Sequence, residues 1–108
     1  MRLVLAVFAG VLWHSRAPAA DILIAGIGTR SCATWKDPAN DLKEAGEQWA
    51  LGFWSALNAA GSSGVNVGHT TDAQGIVGAV SKVCEHDPAL PLWSATSRAF
   101  YALAAQHR

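Results

Sequence analysis

The residue types in this chain that are capable of catalysis are most concentrated around its second cysteine. The run Cys84-Glu85-His86-Asp87 places a thiol next to an imidazole and two carboxylates, and a cysteine nucleophile is activated by such a base. The base has to lie beside the sulfur in space, however, and adjacency in sequence does not establish that. The run alone does not predict an enzyme, and we expect no catalytic residues in this chain.

The other polar residues give no stronger indication of a site. Zinc sites need three or four ligands at fixed spacing, and no HxxxH, HExxH or paired CxxC motif surrounds His69 or Asp72. Gly26-x-Gly28 follows an apolar run but lacks the third glycine and the helix of a dinucleotide-binding turn. We therefore expect neither a metal site nor a cofactor.

The amino terminus has the parts of an export signal. A basic start precedes an apolar run at positions 3–13, and positions 17–19 read Ala-Pro-Ala, an A-x-A cleavage pattern. The run is shorter than the roughly 20 residues that cross a bilayer. We expect residues 1–19 to be a signal peptide cleaved after Ala19 or Ala20, with a periplasmic mature protein; an uncleaved anchor or a buried first helix is the alternative.

The charge of the mature chain excludes two classes of partner. Without its signal the chain keeps six basic and eight acidic residues, a net charge of about −2. Nucleic-acid binding requires a basic patch, and electrostatic attachment to anionic lipids requires a basic cluster. We therefore expect no nucleic-acid partner and no membrane insertion after cleavage.

Apolar spacing predicts an all-α fold around a central helix at about 38–60. Asp37-Pro38 suits the start of this helix, and Gly61 suits its end. Its apolar residues recur at helical intervals: Leu42, Ala45, Trp49, Phe53, Ala56 and Ala60. Glycines inside a helix commonly allow close packing, so Gly46 and Gly52 are predicted contact points for the flanking helices.

The flanking segments complete a small bundle of about four helices. Residues 20–30 are predicted to form an extended arm, and residues 31–105 one helical domain that opens with a short helical turn. A flexible glycine-rich loop covers 61–70. Thr71, with Gln74 three residues later, forms a capping-box pattern for the next helix, and the last helix begins at Pro91.

Cys32 and Cys84 are expected to pair because the chain carries an export signal and only two cysteines. Closing a loop of about fifty residues stabilises a fold by roughly 4 kcal/mol in the chain-entropy model. The bond would join the first short helix to the end of the third. A free thiol or a metal ligand remains the alternative.

Aromatic residues suggest where a partner could bind. The mature chain has four tryptophans, of which core packing accounts for two or three, and exposed aromatic residues are enriched at protein interfaces. We take Trp54, Trp93 and the loop residue His69 as a candidate partner surface, with Trp54 at the edge of the apolar face of the central helix.

The arrangement of these motifs resembles the small periplasmic HdeA/HdeB-like proteins. The resemblance covers residues 31–88 and rests on these motifs: Ser31-Cys32-x-x-Trp35, Trp49-x-Leu51-Gly52-Phe53-x-Ser55-Ala56-x-Asn58, Asp72-x-x-Gly75-Ile76, Cys84 and Pro88. It implies a four-helix fold with one cysteine pair. It also implies an acid-stress chaperone, a homodimer at neutral pH that loosens in acid and binds unfolded clients.

The alternative is a dedicated periplasmic inhibitor that binds a single protein partner. A related set of small exported helical proteins serves as immunity factors against secreted cell-wall amidases. In that case the loop at 61–70 would present its side chains to a cleft of the partner. Both alternatives are non-enzymatic and depend on protein binding.

Overall fold

The structure is a computed structural model that describes residues 22–106, so the predicted signal peptide and the first two residues of the predicted arm lie outside the described residues. Four α-helices are present in this range: α1 (Cys32–Lys36), α2 (Lys43–Ala59), α3 (Ala73–His86) and α4 (Leu92–Ala105). Two 3-10 turns, Gly26–Thr29 and Pro38–Asn40, precede α1 and α2. The predicted all-α fold is confirmed. None of these helices is long and apolar enough to span a membrane.

The directions of the helices follow from the three helix ends that contact α1: the starts of α2 and α4 and the end of α3. The backbone of Gly46, near the start of α2, packs against the ring of Trp35 in α1. The start of α4 is held beside α1, since the Leu92 amide donates to the Arg30 carbonyl at 2.8 Å. The end of α3 is joined to α1 by the disulfide between Cys32 and Cys84. Helices α2 and α4 therefore run in one direction and α3 in the other. We call this the disulfide end, and the opposite end, with residues 61–71, the loop end.

Helix α4 contributes more buried residues to the core than α2, the helix that was predicted to be central. Helices α2 and α3 each bury three residues, whereas α4 buries six: Leu92, Ala95, Thr96, Ala99, Phe100 and Ala104. Several of these are alanines, and small side chains let neighbouring helices approach closely. The hydroxyl of Thr96 is satisfied within the core by donating to the Leu92 carbonyl at 2.8 Å.

Helix α2 begins five residues later than the predicted start at about 38. The carboxylate of Asp37 accepts a hydrogen bond from the Ala39 amide at 2.9 Å and so caps the 3-10 turn Pro38–Asn40. Asp41 then adopts a left-handed backbone with φ 53°, which aspartate tolerates better than most residues. This residue interrupts the helical backbone, and α2 starts at Lys43. Its carboxyl end matches the prediction.

The cap of α3 is shifted by one residue from the predicted Thr71–Gln74 pair. Asp72 has an extended backbone, and its Oδ1 accepts a hydrogen bond from the Gly75 amide at 2.9 Å. The capping assignment to Thr71 is therefore wrong, because Asp72 occupies the position from which a side chain reaches the third residue of the helix. Thr71 covers Gly75 instead, where a Cβ would lie 2.0 Å from the Thr71 Oγ1.

The amino-terminal segment is only partly extended. Residues 22–25 have no regular structure, and Gly26–Thr29 forms a 3-10 turn. This turn is fixed to α2 because the Trp49 Nε1 donates to the Ala25 carbonyl at 3.0 Å. Gly28 lies flat against the same indole: a Cβ there would be 2.2 Å from the ring.

The two glycines inside α2 give a matched pair of predictions. A Cβ at Gly46 would lie 2.6 Å from the Trp35 ring, whereas at Gly52 it would meet nothing within 4 Å. The predicted close approach is thus confirmed at Gly46 and wrong at Gly52. We expect Gly46→Ala to lower the free energy of unfolding by about 1–3 kcal/mol through overpacking. Gly52→Ala should raise it by about 1 kcal/mol through helix propensity.

Urea unfolding followed by circular dichroism measures both variants. They share a helix and a chemical change, so opposite signs would isolate the contact with Trp35 as the cause. Equal effects of the two substitutions would contradict the packing of α1 on α2.

Candidate binding surface

The two cysteines form a structural disulfide. Their sulfur atoms are bonded, their Cα atoms are 5.3 Å apart, and both side chains are almost fully buried. The alternatives of a free thiol and a metal ligand are therefore wrong. Within residues 22–106, no group of three or more histidine, cysteine, aspartate or glutamate side chains is placed to hold a metal ion.

The residues that follow Cys84 do not converge on it. The imidazole of His86 is exposed, and its Nδ1 lies 2.9 Å from the Lys82 carbonyl, one helical turn earlier. Glu85 is also exposed, and it lines a surface pocket of 230 Å³ beside the disulfide. That volume is below the roughly 300–1,000 Å³ typical of small-molecule sites.

Trp54 is a core residue, and its assignment to the partner surface is wrong. It is 2% exposed, its ring packs edge-on against Phe100 with centroids 5.2 Å apart, and its Nε1 donates to the Val67 carbonyl at 2.9 Å. The apolar face of α2 is wide because several segments pack on it: the 3-10 turn Gly26–Thr29 lies on Trp49, and both α4 and the loop at 61–71 contact Trp54. Trp93 is half-buried, and His69 is exposed.

The loop at 61–71 is fixed to α2 rather than flexible. The side-chain amide of Asn58 pairs with both backbone groups of Val67: its Nδ2 donates to the Val67 carbonyl at 3.0 Å, and its Oδ1 accepts from the Val67 amide at 2.9 Å. Trp54 donates to the same carbonyl, and Val67 itself is 2% exposed. We call these three residues the Val67 clamp.

The Val67 clamp was not anticipated from the sequence. The one available signal was Asn58, a polar residue four positions after Trp54 and therefore on the same side of α2 as that tryptophan. Such a group requires hydrogen-bond partners when it is buried. The sequence does not indicate that its partner lies nine residues further along the chain.

The clamp determines what the loop presents to solvent. Val65 is 41% exposed, Asn66 is exposed, and the Nδ1 of His69 lies 2.9 Å from the Asn66 carbonyl. Of the predicted surface residues, His69 therefore lies on this loop, while Trp54 lies beneath it as part of its support.

Charge is segregated between the two ends of the bundle. No lysine, arginine, aspartate or glutamate occurs between Glu47 and Asp72 or between Asp72 and Lys82. Most charged side chains of the described residues lie instead on segments that meet at the disulfide end: Arg30, Lys36, Asp37, Asp41, Lys43, Glu44, Glu47, Lys82, Glu85 and Asp87. Residues 61–71 thus form an uncharged surface on a fixed loop, with Asp72 beside it, and Arg98 of α4 is the remaining charged residue of the described chain.

These features are characteristic of a protein-binding surface. The centres of interfaces are depleted in charged residues, because a charge that is buried without a partner is costly.

No family model, curated protein or solved structure matches this chain. The resemblance to the HdeA/HdeB-like proteins therefore stays a prediction.

Proposed function

We propose that this chain is an exported, non-enzymatic periplasmic protein that binds one folded protein partner through its loop end. The observation that carries the proposal is the Val67 clamp, in which three hydrogen bonds tie Val67 of an exposed, uncharged loop to α2. A loop that is already ordered loses less conformational entropy on binding than a flexible one. Pre-organisation of this kind favours recognition of one defined surface.

The charge distribution supports the same proposal. A partner that covers the loop at 61–71 desolvates Val65, Asn66 and their uncharged neighbours, and Asp72 at its rim is the one fully charged residue between Glu47 and Lys82. The charged disulfide end remains in water, where it contributes to solubility. Of the two functions considered from the sequence, the dedicated inhibitor or adaptor therefore has the more specific structural support.

A charge placed on the loop end tests this proposal. Val65→Asp puts a carboxylate on an exposed side chain outside the core, so we expect normal stability but a loss of partner affinity of roughly tenfold or more. Lys82→Glu, an exposed change at the disulfide end, is the control and should bind normally. The measurement is quantitative capture of the partner from periplasmic extract, followed by titration with the purified partner.

The effect of Val65→Asp on capture of the partner decides whether the proposal holds. Stoichiometric capture that Val65→Asp abolishes and Lys82→Glu preserves supports the proposal. Capture that is insensitive to Val65→Asp, or that depends on Lys82, would place the binding surface elsewhere and contradict it.

The acid-stress chaperone is the second candidate, and one observation favours it. The disulfide closes the segment between Cys32 and Cys84, and α4 lies outside this closed segment although it buries more residues than any other described helix. If acid loosened the fold, α4 could separate from a chain that stays cross-linked. Its face around Phe100 would then become available to unfolded clients.

A client assay distinguishes the two candidates. The chaperone function requires suppression of light scattering by an aggregating client at about pH 3, where carboxyl groups become protonated and the mature chain gains positive charge. A dedicated binder should fail this assay and should retain its single partner at neutral pH. Suppression in acid without any stoichiometric partner would favour the chaperone.

A further inference from the structure

A groove at the disulfide end has the size of a small-molecule site. It runs between the 3-10 turn Gly26–Thr29 and the start of α2, and its volume of 430 Å³ falls within the roughly 300–1,000 Å³ that is typical of such sites. Ile27 and Leu42 are half-buried and pack against the core, so the apolar part of its wall is fixed. The described residues that line the groove are Gly26, Ile27, Thr29, Arg30, Leu42 and Ala45.

Arg30 is the one charged residue in this described lining, and its side chain is exposed. Within residues 22–106 it forms no ion pair, and Glu47 of α2 is paired with Lys43 instead, at 2.8 Å. Asp41 and Glu44 lie close to Leu42 in the sequence, but neither lines the groove. The groove therefore combines an apolar wall with a cation that no described carboxylate pairs with.

The backbone that carries Arg30 is held on both sides. Its amide donates to the Ile27 carbonyl at 3.0 Å, and its carbonyl accepts from the Leu92 amide at 2.8 Å. The turn before it is fixed to α2, because the Trp49 Nε1 donates to the Ala25 carbonyl at 3.0 Å. A ligand at Arg30 therefore has to order only the arginine side chain, which lowers the entropic cost of binding.

We propose that this groove binds a small carboxylic acid with an apolar body, of the kind represented by a short fatty acid. The guanidinium of an arginine offers two parallel N–H donors that match the two oxygens of a carboxylate. Ile27, Leu42 and Ala45 cover the apolar body, and burial of apolar surface is favourable.

The same lining is less suited to an extended peptide. One common mode of peptide binding pairs the peptide backbone with the edge of a β-sheet. The described lining instead lies in or beside a 3-10 turn and an α-helix. The ligand that fits is therefore recognised by its carboxylate and its apolar body, without main-chain pairing.

Nuclear magnetic resonance titration of the isotope-labelled, exported protein with octanoate tests the proposal. Backbone amide signals of residues 26–30 and of the start of α2 should shift saturably, while those of residues 61–71 should not. Octylamine has a similar chain with a positive charge, and acetate has the carboxylate without the chain. Both should bind roughly tenfold more weakly than octanoate, or worse.

Substitution of Arg30 tests the role of its charge. Arg30→Gln keeps a long polar side chain and both backbone hydrogen bonds, so we expect normal folding and a rise of roughly tenfold or more in the octanoate dissociation constant. Arg98→Gln makes the same change at an exposed arginine of α4 outside the groove and should bind normally. Ala45→Phe adds a ring at an exposed position of the lining and should block binding.

Several results would overturn the proposal. One is the absence of saturable shifts at residues 26–30, whether another segment of this chain or a protein covers the groove. Another is equal affinity for octanoate and octylamine, because the groove would then recognise no anion. Equal affinities of Arg30→Gln and Arg98→Gln would have the same meaning. A peptide with an apolar carboxyl-terminal residue that binds more tightly than octanoate would assign the groove to a protein partner instead.

This proposal does not depend on the proposed function. The groove lies at the disulfide end, whereas the proposed partner surface lies at the loop end. Val65→Asp should therefore leave octanoate binding unchanged, and Arg30→Gln should leave capture of the protein partner unchanged. Loss of one binding activity with retention of the other would identify which of the two proposals had failed.

Discussion

Replacing both cysteines with alanine should lower the free energy of unfolding by about 4 kcal/mol in the chain-entropy model. The bond joins residues 52 positions apart, so its removal frees a long loop in the unfolded chain. Native small domains are stable by only about 5–15 kcal/mol. We therefore expect Cys32→Ala/Cys84→Ala to be folded marginally at room temperature and unfolded at moderate temperatures.

Urea unfolding of the double variant, compared with the oxidised wild-type chain, gives the magnitude. The wild-type chain under reducing conditions is the matched control and should be destabilised by a similar amount. A loss below about 1 kcal/mol in the double variant would show that contacts around α1 fix this end of the bundle without the cross-link.

Trp54→Ala should destabilise the protein by about 3–5 kcal/mol, the range for large aromatic residues deleted from a core. The substitution removes the ring that packs on Phe100 and supports the loop at Val67. Trp54→Phe keeps most of the ring and removes the Nε1 donor. The Val67 carbonyl still accepts from the Asn58 amide, so Trp54→Phe should cost only about 1 kcal/mol.

Thermal and urea unfolding distinguish these two contributions of the tryptophan. A large difference between the variants would assign the stability to ring packing, and equal losses would assign it to the hydrogen bond. A Trp54→Ala chain with wild-type stability and weakened partner binding would instead return Trp54 to the surface role that the sequence had suggested.

The helices themselves were predictable from the sequence because their signals are local. Apolar residues at helical spacing, Pro91 before the last helix and Gly61 after α2 each act within a few residues of their position. The disulfide was also predictable, because a predicted export signal and a single pair of cysteines favour oxidative pairing before any fold is known. Two helix starts still differ from the prediction. The left-handed backbone at Asp41 makes α2 begin at Lys43, and the side chain that caps α3 is Asp72 instead of Thr71.

The sequence by itself determined an all-α chain with one cross-link between its first and third helices. Only the tertiary structure decided which sides of α2 were covered, and so placed Trp54 inside, Gly46 at a contact and Gly52 in open space. The candidate surface depends on the same level of structure. Asn58 and Val67 pair because α2 and the loop meet in space, and charge separates into two ends because α3 runs opposite to its neighbours. Spacing along a helix specifies which residues share a face, but the contact partners of that face are set by packing among distant segments.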